Sequence, residues 1–169
     1  MYEYNVETFE GLYAWHTDQG QKASTTGNIY GIYDLSGGAW EYVASYVDNG
    51  HAYLTSRGGT LTDETNMHTK QVYKASASDG TSDTRAENYA LNSAVYGDAV
   101  YETSKSSDSS SGSWHSDYSS FPYTSTPFFV RGVRGSNGGS AGVFAFRYVY
   151  GGTGIDYGFR AVLCVSSDN

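Results

Sequence analysis

The chain has 169 residues, enough for one domain with a sizeable core, and its 21 glycines, 17 tyrosines and two prolines favour a loop-rich β or α+β protein over a helical bundle. Its formal net charge of −8 argues against partners that need a positive surface, so neither nucleic acid nor an anionic membrane is expected to bind. A single cysteine excludes a disulfide framework within the chain.

Membrane insertion by this segment is not expected, because no apolar run reaches the ~18 residues that a membrane span needs. Residues 1–20 also lack the basic and apolar regions of a signal peptide, although a longer parent protein could carry an anchoring segment.

The first half of the chain contains one well-defined strand. After turn-forming residues, Trp40, Tyr42 and further small or aromatic residues alternate with their neighbours, which predicts a strand over residues 39–47. Residues 1–20 are interpreted as an edge strand or a short helix. The polar composition of residues 48–83 indicates a surface excursion, interrupted by a short strand at residues 70–73.

Two short helices are predicted in the middle of the chain. Thr84 and Glu87 have the spacing of a capping box, in which the threonine hydroxyl covers a free amide and the glutamate reaches back. The first helix is expected to end by Gly97, and a second to run from Asp98 through Glu102. The inward face of the first helix is predicted to carry Ala86, Tyr89, Ala90, Ser93 and Ala94.

Residues 105–113 form a polar, low-complexity stretch that predicts a loop. Aromatic residues follow it closely and are interpreted as anchors that pin this loop to the core, because aromatic side chains at such density usually fill an interior. These anchors are Trp114, Tyr118, Phe121 and Tyr123.

The last forty-odd residues alternate between apolar stretches and stretches without any packing pattern. The apolar stretches are 128–130, 143–146 and 159–165, whose aromatic and β-branched content predicts half-buried strands. Between them, residues 133–140 and 147–157 mix charged, aromatic and aliphatic side chains with no period. Such a mixture is typical of a displayed contact surface and favours a binding protein over an enzyme.

Motifs for catalysis or metal binding are absent from the sequence. The four histidines are widely spaced without a cysteine partner, and neither the serine-hydrolase nor the phosphate-loop pattern occurs. We therefore expect no metal, no cofactor and no enzymatic activity. Cys164 is interpreted as an inert, half-buried thiol. Arg160 is interpreted as a structural partner of Asp34 or Glu41, with an acidic ligand as the alternative.

Residues 27–43, GNIYGIYDLSGGAWEYV, resemble the signature GN-x-x-G-L-Y-D-M-x-G-N-V-W-E-W of the formylglycine-generating-enzyme branch of the C-type lectin fold. Residues 128–131 and 158–160 resemble the closing elements of that branch. The resemblance implies that residues 1–169 form one α+β domain of the C-type lectin fold, loop-rich, with a small antiparallel sheet and one or two helices. The enzyme's activity is not implied, because its cysteine pair is missing. The calcium-binding motifs of the lectins are missing as well.

A closer resemblance, carried by RG…NGGSAGVFAF…GFRAVL, is to the variable proteins that retroelements diversify in phages and gut bacteria. In that family, adenines of asparagine codons are rewritten while the intervening codons stay fixed. The resemblance implies that residues 131–160 are the variable ligand-binding region, with Val133 either a frame residue or a further variable one. The implied variable positions are Arg134, Gly135, Ser136, Asn137, Ser140, Arg147, Tyr148, Val149, Tyr150, Gly152, Gly154, Ile155, Asp156 and Tyr157.

These resemblances imply a ligand- or receptor-binding protein on a virion tail or a bacterial surface, whose variable face recognises a protein or a cell-surface molecule. Tyrosines at this face would offer large contact area at low entropic cost, as they do in antibody paratopes. Two alternatives stay open. One is a structural module of a pilus or virion without an external ligand, and the other, with less support, is an oxidase of the formylglycine-generating type. The sequence identifies neither the ligand, the oligomeric state nor the host.

Overall fold

The computed structural model describes residues 17–21, 28–30, 39–63, 70–92 and 97–159. The chain divides into two compact units, Met1–Leu35 and Ser36–Asn169. In the first unit the described residues form one short helix, α1 (Asp18–Gln21), and a turn in which the Tyr30 amide donates to Asn28 Oδ1. Most of the segment predicted as an edge strand or short helix, residues 1–20, lies outside the described residues.

The second unit is built on a mixed, seven-stranded sheet. Its strands are β1 (Trp40–Asp48), β2 (Gln71–Lys74), β3 (Asp108–Ser109), β4 (Ser119–Ser120), β5 (Phe128–Arg131), β6 (Phe146–Val149) and β7 (Tyr157–Phe159). The order is β2-β1-β5-β6-β4-β3, with β7 paired to β1. The α+β class is confirmed, but the expectation of a small antiparallel sheet is wrong, because three of the six strand pairings among the described residues are parallel.

Strand β1 is the centre of this sheet and has three partners. β5 pairs antiparallel along one edge, while β7 at Trp40–Tyr42 and β2 at Ser45–Asp48 pair in parallel with the two halves of the other edge. The strands predicted at residues 39–47 and 70–73 are both confirmed to within one residue. For residues 39–47, local alternation was sufficient to find the strand.

Helices are short and more numerous than the one or two expected. Besides α1, the described residues contain α2 (Ala52–Arg57), α3 (Arg85–Leu91) and α4 (Ala99–Thr103). Three 3-10 segments add to them, Gly59–Thr62, Trp114–Ser116 and Gly135–Ser140. The predicted second helix is confirmed as α4, where Asp98 accepts hydrogen bonds from the amides of Val100 and Tyr101.

The predicted capping box at α3 is confirmed in its position. Thr84 Oγ1 accepts from the Glu87 amide at 3.3 Å and donates to the Glu87 carboxylate at 2.7 Å, so the glutamate reaches back to the hydroxyl. The predicted inward face is only partly confirmed. Tyr89 packs against Phe121, but Ala86 and Ala90 are exposed and the neighbouring Asn88 is fully buried. Ser93 and Ala94 lie outside the described residues.

Two core clusters cover opposite faces of the sheet. The first core cluster contains Trp40, Tyr46, Leu54, Phe128, Val130, Val133, Ala145 and Val149. The second core cluster contains Val47, Tyr73, Val100, Phe121, Phe129 and Phe146. Because neighbouring side chains of a strand point to opposite faces, a sheet covered on both sides needs uninterrupted apolar strands. The run Phe128–Phe129–Val130 in β5 is accordingly buried throughout, not half-buried as predicted.

The other two predicted C-terminal strands are displaced. β6 occupies Phe146–Val149 instead of residues 143–146, and Val143 is 44% exposed. β7 begins at Tyr157, and the rest of the stretch predicted as a strand, 160–165, lies outside the described residues. Phe159, in the stretch predicted as a half-buried strand, is 81% exposed. Among the described strands, β7 pairs with β1.

The aromatic anchors after residue 113 are partly confirmed. Phe121 is fully buried in the second core cluster, but Trp114 is 56% exposed and packs edge-on against Phe144, with ring centroids 5.4 Å apart. The preceding segment, predicted as a loop, includes the two-residue strand β3.

A buried polar network connects distant parts of the second unit. Asp83 Oδ1 accepts from the Thr124 amide at 2.9 Å, and Asp83 Oδ2 accepts from the side-chain amides of Asn88 at 2.7 Å and Asn49 at 3.2 Å. Asn49 also donates to the Thr124 carbonyl at 2.7 Å. The network joins the end of β1 to α3 and to the loop before β5.

Candidate functional site

The first predicted variable segment begins where β5 ends. Gly132 and Val133 both have positive φ, 90° and 60°, and turn the chain away from the sheet. A β-branched residue is strained in this conformation. Val133 is nevertheless fully buried in the first core cluster, so its side chain fixes the turn. Of the two roles left open by the sequence, its burial supports that of a frame residue.

Beyond this turn lies the 3-10 segment Gly135–Ser140, which holds four of the predicted positions. Asn137 is exposed, and Ser140 is half-buried with its carbonyl accepting from the Tyr118 amide at 2.9 Å. The side chains of residues 135 and 136 lie outside the described set.

The second predicted variable segment folds over the start of β1. The Asp156 carbonyl accepts from the Trp40 amide at 2.9 Å, and the Tyr157 amide donates to the Gly154 carbonyl at 3.3 Å. The Arg134 guanidinium contacts the Asp156 carboxylate at 2.7 Å, and both side chains are nearly half exposed. This ion pair brings the two predicted segments together in space.

A groove with a volume of about 330 Å³ lies beside this ion-paired surface. Residues 151–154 form part of its wall. The lining also includes Tyr42, Arg57, Leu61, Phe128, Tyr157 and Phe159. Three predicted variable positions, Gly152, Gly154 and Tyr157, therefore line it. Most of the lining is aromatic, aliphatic or glycine.

Tyr42 of β1 forms the wall on the sheet side. Its hydroxyl donates to the Gly152 carbonyl at 2.6 Å, and its ring centroid lies 5.6 Å from that of Tyr157. Burial, reinforced by the neighbouring Tyr157 and Tyr150, raises the pKa of Tyr42 to about 12. The hydroxyl therefore stays protonated and remains a donor near neutral pH.

Arg57, the last residue of α2, forms the opposite rim. Its guanidinium carbon lies 3.7 Å from the centroid of the Tyr53 ring and 4.8 Å from that of Tyr150, and Nη1 donates to the Tyr150 carbonyl at 3.2 Å. Sequence reasoning missed Arg57, since it occurs in a polar stretch without a motif. Its role depends on the contact with Tyr150, 93 residues away.

Strand β6 divides three of the predicted positions between different environments. Val149 is 3% exposed in the first core cluster, so the prediction that it is displayed is wrong. Arg147 shares that face of β6, with its guanidinium carbon 6.0 Å from the Trp40 ring centroid. Tyr148 points to the opposite face and packs edge-on against Tyr123, at 5.3 Å between centroids.

The cationic side chain of Arg85, at the start of α3, also packs against Tyr148. The Arg85 guanidinium carbon lies 4.6 Å from its ring centroid, and Arg85 further pairs with Asp108 and donates to the Tyr123 hydroxyl at 2.9 Å. Tyr148 is half-buried by these contacts. The fourteen predicted positions therefore do not form one continuous face.

Large apolar side chains at two predicted positions are exposed next to residues that line the groove. Ile155 is fully exposed and Tyr150 is 43% exposed, and neither contributes to a core cluster. Together with the 81% exposed Phe159, they place large apolar side chains around an aromatic groove. Side chains of this type, rimmed by charged residues, are characteristic of protein interaction sites.

The described part of the chain contains no group of three or more histidine, cysteine or acidic side chains that could hold a metal ion. His51 instead caps α2, its Nδ1 accepting from the Tyr53 amide at 3.1 Å, and His115 stacks on Phe144. His16, His68, Arg160 and Cys164 lie outside the described residues.

None of the helices among the described residues has the length and apolar character needed to cross a lipid bilayer. Comparison of the chain with protein-family models, with curated proteins and with solved structures found no match.

Proposed function

We propose that the chain is a binding protein of the C-type lectin fold, related to the variable proteins that retroelements diversify, and that it recognises a protein or cell-surface molecule. The contact surface is assigned to residues 134–140 and 150–157 with the adjoining groove. The observation that carries the proposal is the Arg134–Asp156 ion pair, which joins two segments without packing pattern into one surface.

The packing beneath this surface supports such a role. The sheet is covered by a core cluster on each face, and the buried side chains of Val133 and Val149 hold the two segments at their bases. Substitutions at exposed positions on such a frame usually change the free energy of unfolding by no more than about 0.5 kcal/mol. The exposed residues can therefore vary while the frame persists.

The proposed setting, a virion tail or a bacterial surface, rests on the resemblance of the sequence motifs. It is tested by sequencing this gene and its neighbourhood in many members of the source population. We expect adenine-linked substitutions concentrated at codons 134–140 and 147–157, beside a reverse transcriptase gene and a near-copy repeat. Position 149 is expected to remain apolar because its side chain is buried. Scattered variation without such a repeat would contradict diversification.

Binding itself is tested with two displayed libraries built on the full chain. The first randomises the exposed positions Arg134, Asn137, Tyr150, Ile155 and Asp156, and is selected against a panel of purified proteins. The matched control library randomises exposed residues elsewhere, namely Thr81, Lys105, Ser110 and Ser111. We expect folded binders from the first library at a much higher frequency. Equal frequencies from both would contradict the assigned surface and favour a structural module.

A further inference from the structure

We propose that Arg57 is a fixed anchor for a carboxylate, and that the groove beside it takes an apolar side chain, so that the surface recognises an acidic, apolar segment of a partner protein. This inference rests on the proposed function and gives its ligand a chemical class. Arg57 lies outside the predicted variable positions, so the anchor would stay constant while the surrounding residues change.

Arg57 is held ready for such a contact. Its guanidinium lies between the rings of Tyr53 and Tyr150, and its helix is fixed at both ends by the His51 cap and by the Gly58 amide, which donates to the Leu54 carbonyl. A guanidinium locked in this way loses little conformational entropy when it binds a ligand.

The Arg57 guanidinium has further N–H donors for a ligand. An arginine side chain carries five N–H donors in a planar fork that matches a carboxylate. Within the described residues the hydrogen bonding of Arg57 consists of one bond, from Nη1 to the Tyr150 carbonyl. The fork can therefore accept a carboxylate without giving up that contact.

Charge complementarity identifies the sign of the ligand. The described lining of the groove contains no acidic side chain, although the chain as a whole carries a net charge of −8. Arg57 is the charged residue of this lining. A ligand carboxylate at the groove would be attracted by Arg57 and would meet no acidic side chain in the described lining.

The shape and lining of the groove identify the rest of the ligand. Leu61, Phe128, Tyr157 and Phe159 give it apolar and aromatic walls, and a volume of about 330 Å³ lies at the small end of the range for ligand sites. Such a space suits one aliphatic or aromatic side chain. A carboxylate next to that side chain in the partner would reach the rim where Arg57 lies.

The test uses N-acetyl-L-phenylalanine as the probe and its uncharged amide, N-acetyl-L-phenylalaninamide, as the matched control. Binding to the full, 15N-labelled chain is followed through the amide resonances of Gly151, Gly152, Gly154 and Gly158. We expect saturable shifts for the carboxylate and an affinity at least about tenfold lower for the amide, as for the loss of a charge-assisted hydrogen bond. Equal affinities, or no shifts at these glycines, would overturn the proposal.

Arg57→Gln is expected to abolish the difference between the two probes, while Arg57→Lys should keep part of it because the charge remains. Lys105→Gln is the control, since it removes an exposed cation that neither lines the groove nor belongs to the proposed contact surface. Thermal unfolding of each variant establishes that it is folded. A carboxylate preference that survives Arg57→Gln in a folded protein would show that another group binds the anion.

Different experimental outcomes would refute the Arg57 anchor and the proposed binding function. Library binders whose affinity is unchanged by Arg57→Gln, together with an unbound probe, would refute the anchor and leave the binding surface standing. A chain that binds the carboxylate probe through Arg57, but yields no binders from the surface library, would refute the proposed surface and leave the groove chemistry standing.

Discussion

Positions 150 and 152 depend on each other sterically. A Cβ atom at Gly152 would overlap the ring of Tyr150, so a residue larger than glycine fits there only if that ring moves. Gly151 is restricted as well, with φ at +81° and a Cβ that would lie 2.6 Å from Phe128 Cε2. Packing therefore couples the choice of residue at positions 150 and 152, which no sequence pattern connects.

Gly152→Ala is expected to destabilise the protein by about 1–3 kcal/mol, the usual cost of overpacking, and by clearly less when Tyr150 is replaced by serine. Urea denaturation of both single variants and the double variant gives the coupling energy. Gly139→Ala is the control, because a Cβ there meets no atom within 4 Å. Additive effects within about 0.5 kcal/mol would mean that the Tyr150 ring is not the cause of the cost at position 152.

Tyr42→Phe removes the hydrogen bond to the Gly152 carbonyl and should cost about 1 kcal/mol near neutral pH. The raised pKa predicts a further effect in alkali. Because the folded-state pKa is about 12, above the ordinary 10.0, this contribution to stability is full below pH 10 and is lost as the pH rises towards 12.

Denaturation measured from pH 8 to 12 should therefore show a shallower alkaline loss of stability for Tyr42→Phe than for the parent chain. Tyr30→Phe, which changes a tyrosine that is 87% exposed, serves as the control and should follow the parent curve. Parallel curves for Tyr42→Phe and the parent would contradict a stabilising role for the Tyr42 hydroxyl.

At the scale of elements, β6 shows why frame and surface cannot be separated by reading blocks of sequence. The strand carries Phe146 and Tyr148 on one face and Arg147 and Val149 on the other. Its position is set by pairing with β5, which places Phe146 opposite Arg131 and Val149 opposite Phe128. A shift of one residue would exchange the two faces, and nothing local to residues 143–149 specifies that register.

Val149→Asn and Ile155→Asn make a matched pair, since both replace an aliphatic residue at a predicted variable position. Val149→Asn should cost at least about 3 kcal/mol, because it removes buried apolar surface and leaves an amide without partners in the core. Ile155→Asn should change stability by no more than about 0.5 kcal/mol. Similar losses for the two variants would contradict the burial of one and the exposure of the other.

Sequence reasoning succeeded where the signal is local. Alternation located β1, and side-chain capping located the starts of α3 and α4. It failed where distant contacts decide. Phe159 belongs to a stretch predicted as a half-buried strand, yet it is 81% exposed. Arg57 is held at the groove by its contact with Tyr150, 93 residues away.

In the second unit, the buried hydrogen-bond network around Asp83 holds distant segments together, as apolar packing would in a larger core. Asn49, Asp83 and Asn88 are each at most 1% exposed, and their hydrogen bonds join β1, α3 and the loop before β5. A network of this kind stabilises only while every buried group has a partner. The composition left a β or an α+β protein open and gave no sign that amide side chains would join its loops.

Asp83→Ala should destabilise the protein by at least about 3 kcal/mol, because it removes a buried acceptor from the amides of Asn49, Asn88 and Thr124. Asp79→Ala is the control and should cost less. Asp79 is exposed and local hydrogen bonds from Ser82 and Thr81 lower its pKa to about 2.

The lowered pKa of Asp79 also predicts a pH dependence. A lowered pKa means that the contribution of Asp79 is present above its ordinary value of 3.8 and is lost as the pH falls towards 2. The Asp79→Ala variant should therefore lose less stability than the parent over that acid range. Equal thermal stability of Asp83→Ala and Asp79→Ala at pH 7 would contradict the importance of the network.

The ion pair between Arg134 and Asp156 has a statistical consequence for any population of natural variants. An exposed pair of this kind contributes up to about 1 kcal/mol, which corresponds to roughly a fivefold preference at equilibrium. If the two segments do diversify, opposite charges at positions 134 and 156 should occur together more often than their separate frequencies predict. The number of usable residue combinations would then be smaller than the product of the choices at each position. The two segments would vary together and not independently.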